Sequence, residues 1–315
     1  MLKYFVSFTD KNSCVHSIDM LYIEYFSNAN ETYMLKILRD FHFTHPDLPY
    51  LEVLDNAMTH KYDFYRNMVK ISGISVYFGR YRDYDKITKE FHTWPIFQIR
   101  FNPNKYGNEE WFKQLFEMLS ECAMDSFLRK YDYAIDVPLA PDMVRLFNSR
   151  KEKGLFKGTE YYGQSGRHNY LKIYDKQKDV LKKQKMEIPS TTRVEYTFFA
   201  NHPRVFEDVC ILSSSAVDTD LSSLTDTQRA IVEMKLLLDK NNISYELNLG
   251  RRVNEKLKRY IHGRYVPLEY GCLDSLLERV KALYGCTALK SIVPTGDLTS
   301  DDSIFCSSEV DNPFL

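Results

Sequence analysis

Three short stretches, DYAID (Asp132–Asp136), KIYDK (Lys172–Lys176) and TRVEYT (Thr192–Thr197), alternate between two kinds of side chain with a period of two. That period belongs to β-strands, in which residues two apart share a face. A chain carrying several such stretches needs a sheet with one apolar, packed face and one polar face. On the polar face the pattern groups Asp132, Ala134 and Asp136 on one strand, Arg193, Glu195 and Thr197 on another, and Lys172, Tyr174 and Lys176 on a third. Any one-sided sheet alternates in this way, so the pattern constrains geometry and leaves the chemistry open.

The rest of the chain agrees with a strand-rich fold. It has 23 Tyr and 20 Phe against only 12 Gly and 11 Pro, and aromatic side chains fit a pleated surface well. YFVSF (4–8), SIDMLYIEYF (17–26), YDFYRNMVKI (62–71), ISVYFGRY (74–81), IFQIRF (96–101), LRKYDYAIDVP (128–138) and TTRVEYTFF (191–199) read as strands. NANETYMLKILRDF (28–41) reads as a helix capped by Asn28 or Asn30. A second helix starts at Asn108 with the stripe Trp111, Leu115, Met118, Leu119 and Cys122. The order predicts an α+β fold on a mostly antiparallel sheet with flanking helices.

Composition shifts along the chain. The Ser/Asp-rich run at 209–226 reads as a linker after a first domain of residues 1–208. Three helical stretches then suggest a small helical domain over 227–290, the last one stopped by Gly285. Residues 291–315 carry five acidic residues and no basic one, and are expected to be a disordered tail. The formal net charge is −1, yet residues 151–200 hold 11 Lys/Arg against 6 Asp/Glu, and 251–264 hold 6 against one. Two basic surfaces of this kind suit a nucleic-acid partner. Arg252, Lys256 and Arg259 fall at i, i+4, i+7 spacing on one side of a helix, fitting either DNA or partner recognition or a solvated helix face.

The six cysteines are scattered without a C-x-x-C pair, which argues for a reducing cytoplasm and against a zinc ribbon. No long apolar run points to a membrane or to secretion. The sequence has no G-x-S-x-G, P-loop or G-x-G-x-x-G, so serine hydrolases, P-loop enzymes and Rossmann folds lose their usual signatures. Asp132 and Asp136, separated by one alanine on a single face, would repel each other. A hard divalent cation relieves such repulsion, and so does plain solvation.

RKYDYAID, GTEYYGQSGRHNYLKIYDK and TRVEYT, in that order and behind IRFNPNK, resemble the rolling-circle replication initiators of the Rep-trans type. The resemblance covers roughly residues 94–199. It implies an HUH-endonuclease-like fold and a tyrosine nucleophile that nicks origin DNA, leaving a 5′-phosphotyrosine and a free 3′-OH. The family's T-x-Y-x-G-S pattern falls on Thr159, Tyr161 and Gly163, with Gln164 at the serine place. Tyr161 takes the nucleophile's position and Tyr162 is the alternative. The same alignment implies Asp132, Asp136 and Glu195 as ligands of Mg²⁺ or Mn²⁺ and Lys176 as the catalytic lysine of the Y-[DE]-K strand. Lys172, Arg193 and Arg167 are then expected to hold DNA phosphates. Implied partners are single-stranded or supercoiled origin DNA, a host helicase and a second copy of the chain, in a bacterial cytoplasm. A conjugative relaxase shares this chemistry, and a DNA-binding protein that has lost nicking shares the fold.

Overall fold

A computed structural model describes residues 6–54, 65–85, 87–147, 151–212, 224–240 and 265–288, with single positions at 253 and 257. The sequence alternation becomes a twelve-stranded sheet. Its strands are β1 (Ser7–Thr9), β2 (Val15–Ser27), β3 (Tyr50–Val53), β4 (Tyr65–Ile71), β5 (Ile74–Asp85), β6 (Glu90–Phe101) and β7 (Ala123–Val137). It continues after a three-stranded detour with β9 (Lys153–Phe156), β10 (Thr159–Tyr162), β11 (Tyr170–Asp175) and β12 (Thr192–Phe199). The order is β3-β4-β5-β6-β2-β7-β12-β11-β10-β9, with β1 alongside β2, and these pairings are antiparallel. The small sheet joins β8 (Val144–Phe147) to β13 (Asp208–Leu212) and β14 (Tyr265–Pro267). The fold is thus α+β on a mostly antiparallel sheet, as the strand and helix order predicted.

One face of the sheet is apolar because the odd-numbered residues of β7 and the even-numbered ones of β12 point to it. Tyr131, Tyr133, Ile135 and Val137 lie there with Val194, Tyr196 and Phe198, all at 2% exposure or less. Helices α1 (Glu31–Thr44) and α3 (Glu110–Glu121) cover that face, burying Met34, Leu38 and Phe41 from one and Phe112, Leu115 and Leu119 from the other. Each fully buried side chain of this size contributes about 1.5–3 kcal/mol through the area it removes from water. Asn30 caps α1, its side chain accepting from Tyr33 N–H at 2.9 Å. The cap of α3 falls on Glu109 rather than Asn108, without a side-chain bond. The short helix α2 (Pro103–Tyr106), capped by Asn102, comes before it.

The chain's later part departs from the two-domain expectation. Residues 209–212, expected in the linker, are strand: Val209 pairs with Leu146 and Ile211 with Val266. Helix α5 (Asp226–Lys240) buries Val232 with Leu224 and Leu257 in a small cluster of its own. By contrast, α6 (Leu273–Tyr284), which the helical domain was to contain, places Leu273, Leu276 and Val280 in the main core. Tyr284 meets Phe101 at 5.1 Å and Phe116 at 5.3 Å between ring centroids. Gly285 ends α6 in the left-handed conformation at φ 62, a backbone state that glycine adopts at no steric cost. The strand β15 (Thr287–Ala288) then pairs in parallel with Phe127 and Leu128 of β7. Apolar spacing at the end of the chain marked a helix correctly but could not say which surface would bury it. Arg252, Lys256, Arg259, residues 213–223 and the 291–315 tail lie outside the described residues. No helix among the described residues is long and apolar enough to cross a membrane.

Candidate functional site

The polar face of β7, β12, β11 and β10 brings the sequence-predicted residues into three rows set by strand register. Asp136 stands opposite Arg193, which stands opposite Tyr174. Ala134 faces Glu195, Glu195 faces Lys172, and Lys172 faces Tyr161. Asp132 faces Thr197, which faces Tyr170. Directly opposed residues lie about 4.5–5.5 Å apart at Cβ, so each row is a line of contacts.

The middle row is the densest. Lys172 Nζ donates to Glu195 Oε1 at 2.5 Å, and the Tyr174 hydroxyl donates to Oε2 at 3.4 Å. Burial alone would drive the Lys172 ammonium down, but the facing Glu195 outweighs it and the pKa rises. Tyr161 follows Lys172 across the sheet, its ring stacked on Tyr170 with centroids 6.2 Å apart and planes at 18°. Across from Tyr161 on β9 stands Gly154, which adds no side chain there. The hairpin that presents Tyr161 turns on Lys157 and Gly158, both at positive φ (50 and 81) as a two-residue type I′ turn requires.

Register also separates the two tyrosines. Tyr162 pairs with Leu171 and therefore points to the opposite, apolar face, where it is 5% exposed. Its hydroxyl donates to Glu160 at 2.6 Å, and Glu160 is itself paired with Lys153 at 2.7 Å. Burial pushes the Tyr162 phenol well above its ordinary value. Only Tyr161, of the pair, shares a face with the carboxylates.

The expected three-carboxylate metal centre does not assemble. Among the described residues no three acidic, His or Cys groups are placed to hold one ion. Asp136 lies four residues from Asp132, about 13 Å along the strand, and its charge is already taken. Arg193 grips it with two bonds, Nε to Oδ1 at 2.7 Å and Nη2 to Oδ2 at 2.9 Å, while Lys176 Nζ also donates to it. Arg193 reaches Asp19 as well, at 3.0 Å, and its side chain is only 11% exposed. Arg193 is therefore the centre of an internal ion-pair cluster, not a phosphate clamp. Lys176, at the first position of α4 (Lys176–Gln184), belongs to that cluster and sits four residues beyond the register partner of Tyr161.

Asp132 differs from Asp136. It accepts from Thr197 Oγ1 at 2.7 Å, and among the described residues no cationic side chain hydrogen-bonds it. Burial raises its pKa to about 6, against the pull of nearby Lys130 and with a push from Glu195. Asp132 and Glu195 are diagonal neighbours on adjacent strands; Asp132 has no cationic hydrogen-bond partner among the described residues, while Glu195 is bonded to Lys172. Magnesium is typically bound by one or two carboxylates together with substrate phosphates, a donor set that Asp132 leads and that Glu195 joins only by sharing its charge with Lys172. Arg167 lies in the turn after Gly163, where its N–H donates to Gln164 O at 3.2 Å.

Sequence reasoning missed the cationic and aromatic neighbours of Asp132. Lys130 shares its strand face, two residues earlier, and lies 4.6 Å from the Tyr22 ring. Arg100 lies over the Tyr77 ring at 3.8 Å and near Tyr22 at 5.4 Å. The i, i+2 rule finds Lys130 from the sequence; Tyr22 and Arg100 needed the strand order.

No family model matches the chain, and no curated protein does. Among solved structures it matches the rolling circle replication initiator protein from Geobacillus stearothermophilus. That match has 14% identity and a TM-score of 0.31, over 87% of this chain and 98% of that one. A superposition that loose carries neither fold nor chemistry from one to the other.

Proposed function

We propose that this chain is a rolling-circle replication initiator of plasmid or phage type, nicking and rejoining origin DNA through Tyr161. The observation that carries the reading is the row Glu195–Lys172–Tyr161, next to Asp132, on a polar sheet face from which Tyr162 is excluded. In the forward step the Tyr161 oxygen attacks phosphorus, the P–O3′ bond breaks, and a 5′-phosphotyrosine and a free 3′-OH result. The phosphotyrosine keeps the ester bond in a form that a later 3′-OH can reverse. Lys172, facing Tyr161, stabilises the developing phenolate and the phosphate oxygens. Asp132 and Glu195 would hold Mg²⁺ or Mn²⁺, which supplies charge stabilisation at the scissile phosphate. Tyr170, buried at 6% exposure, backs the nucleophile by stacking on its ring. Asp136, Arg193 and Lys176 position β7 against β12 instead of touching DNA.

The test is covalent trapping with Mn²⁺ on labelled single-stranded oligonucleotides from the chain's own replicon, read on denaturing gels. Tyr161→Phe is expected to abolish the DNA-linked band and Tyr162→Phe to keep it. A band lost only in Tyr162→Phe would overturn the assignment of the nucleophile. Binding without any band in the parent would favour a DNA-binding protein on the same scaffold, to which the saturation of Asp136 already lends weight. A relaxase would give the same band and be told apart by transfer of a marked plasmid between cells.

A further inference from the structure

The polar sheet face does not end at Asp132. Register carries it on across β7, β2, β6 and β5: Lys130 stands opposite Tyr22, Tyr22 opposite Arg100, and Gln98, two residues before Arg100, opposite Tyr77. Lys130 lies about 7 Å along the strand from Asp132, and Arg100 lies about 10 Å across the sheet from Lys130. Both cations are half-buried. Both are also held by rings. Lys130 Nζ is 4.6 Å from the Tyr22 centroid, while Arg100 Cζ is 3.8 Å over Tyr77 and 5.4 Å from Tyr22. Arg100 Nε donates to Gln98 Oε1 at 2.5 Å, which fixes the plane of the guanidinium and leaves its two Nη groups for another acceptor.

Among the described residues neither cation has a carboxylate within ion-pair distance. The carboxylates of this face are bonded elsewhere: Asp132 to Thr197, Glu195 to Lys172, and Glu24 to the Tyr65 hydroxyl at 2.6 Å. A ring face attracts a cation but supplies no counter-charge, and a charge drawn out of water is costly until an anion completes it. Two such cations, spaced outward from the candidate site for the scissile phosphate, fit a run of phosphates better than one isolated ion. Farther along the same face the β5–β6 ladder turns aromatic. Tyr81 pairs with Trp94, their rings 6.1 Å apart at 26°, and His92 follows Trp94 at 5.7 Å and 30°. Trp94 is 36% exposed, so part of its ring is open to solvent. Cations that track a backbone, beside rings on which bases can stack, are the means by which proteins hold unpaired strands.

We propose that Lys130 and Arg100 hold phosphates of an unpaired DNA strand running outward from the candidate site at Asp132, and that Trp94 stacks on one of its bases. The occupant is single-stranded DNA, because a duplex keeps its bases stacked on one another and closed to Trp94. Where the strand starts rests on the nicking proposal above. Its grip rests on Lys130, Arg100 and Trp94 alone.

Fluorescence anisotropy of labelled single-stranded oligonucleotides from the chain's own replicon, titrated with the full chain carrying Tyr161→Phe at several salt concentrations, tests it. Each phosphate contact to a single strand adds about 0.7 to the steepness with which log K falls against log salt. Lys130→Gln and Arg100→Gln are each expected to weaken binding about tenfold and to flatten that slope by about 0.7, and together by about 1.4. Lys130→Arg should keep the slope. Trp94→Ala should weaken binding about tenfold at unchanged slope, and the same sequence as a duplex should bind at least about tenfold more weakly. Irradiation of 5-iodouracil oligonucleotides with the parent chain, which needs no variant to fold, should crosslink Trp94 or Tyr81. An unchanged slope in the double variant, a duplex bound as tightly as the single strand, crosslinks confined to other parts of the chain, or no single-strand binding at all would each overturn the proposal. Binding that behaves as expected beside a parent that forms no DNA-linked band with Mn²⁺ would keep this strand path and remove the nicking. A DNA-linked band from a parent whose binding ignores Lys130 and Arg100 would do the reverse.

Discussion

Asp132 shows how a site residue acts against the stability of its own fold. Its carboxyl is pushed up to about 6 from an ordinary value of 3.8, so the native chain holds that proton more tightly than the unfolded one. By linkage, stability from this group falls as pH rises from about 4 to about 6 and stays low above that. Asp132→Asn, which can still accept from Thr197, should stabilise the metal-free protein by about 1–3 kcal/mol at pH 7.5 and by almost nothing near pH 4. Denaturant unfolding in chelator at the two pH values checks this. The same variant should lose any gain in Tm that Mn²⁺ gives the parent. Arg193 behaves in the opposite way: Arg193→Met strips Asp136 and Asp19 of their shared partner and should cost about 3–5 kcal/mol, seen as a lowered denaturation midpoint. At this scale period-two spacing put Asp132, Glu195 and Lys172 on the polar face of their strands, and the resemblance supplied Tyr161. The sequence could not choose Tyr161 over Tyr162, because adjacent residues exchange faces with a one-residue change of register. Nor could it tell that Arg193 and Asp136 neutralise each other, since opposed charges on different strands are invisible before pairing is known.

Among the elements, the turn between β4 and β5 is the most tightly specified. A Cβ on Gly73 would come within 1.9 Å of the Tyr106 hydroxyl, and Tyr106 is only 5% exposed and so has little room to move. Gly73→Ala should therefore cost about 1–3 kcal/mol by overpacking, measured as a fall in Tm. Tyr106→Phe in the same chain should recover part of the loss by removing the nearest atom. The two-residue gap, Ser72 and Gly73, between the stretches read as strands at 62–71 and 74–81 marked this turn in the sequence, whereas the close approach of α2 was visible only in the structure. Strand β9 escaped notice because KGLF is four exposed residues without alternation. What fixes it is the type I′ turn that follows and the ladder it makes with β10. The α3 cap slipped by one residue because Asn108 is the better side-chain acceptor by type, yet the helix begins after Glu109 without using a side chain.

For the whole molecule, the lesson concerns where apolar helix faces go. Both α5 and α6 carry periodic apolar residues, but the first packs in a small cluster and the second joins the sheet core. Composition shifts at 209–226 suggested a boundary, and a boundary predicts that α6 unfolds with its own domain. Shared burial predicts otherwise: Leu276→Ala should cost about 2–5 kcal/mol and move the unfolding of sheet and helix together. Coincident transitions by far-ultraviolet circular dichroism and by tyrosine fluorescence check that expectation. The docking has a consequence for the chain as it leaves the ribosome. On β7 the ladder with β12 begins at Lys130, and the neighbouring stretch at Phe127 and Leu128 is closed by Thr287 and Ala288. Until those two residues are made, a central strand offers bare backbone donors and acceptors to any passing nascent chain. A pair of residues more than 150 positions downstream thus acts as a late guard against aggregation.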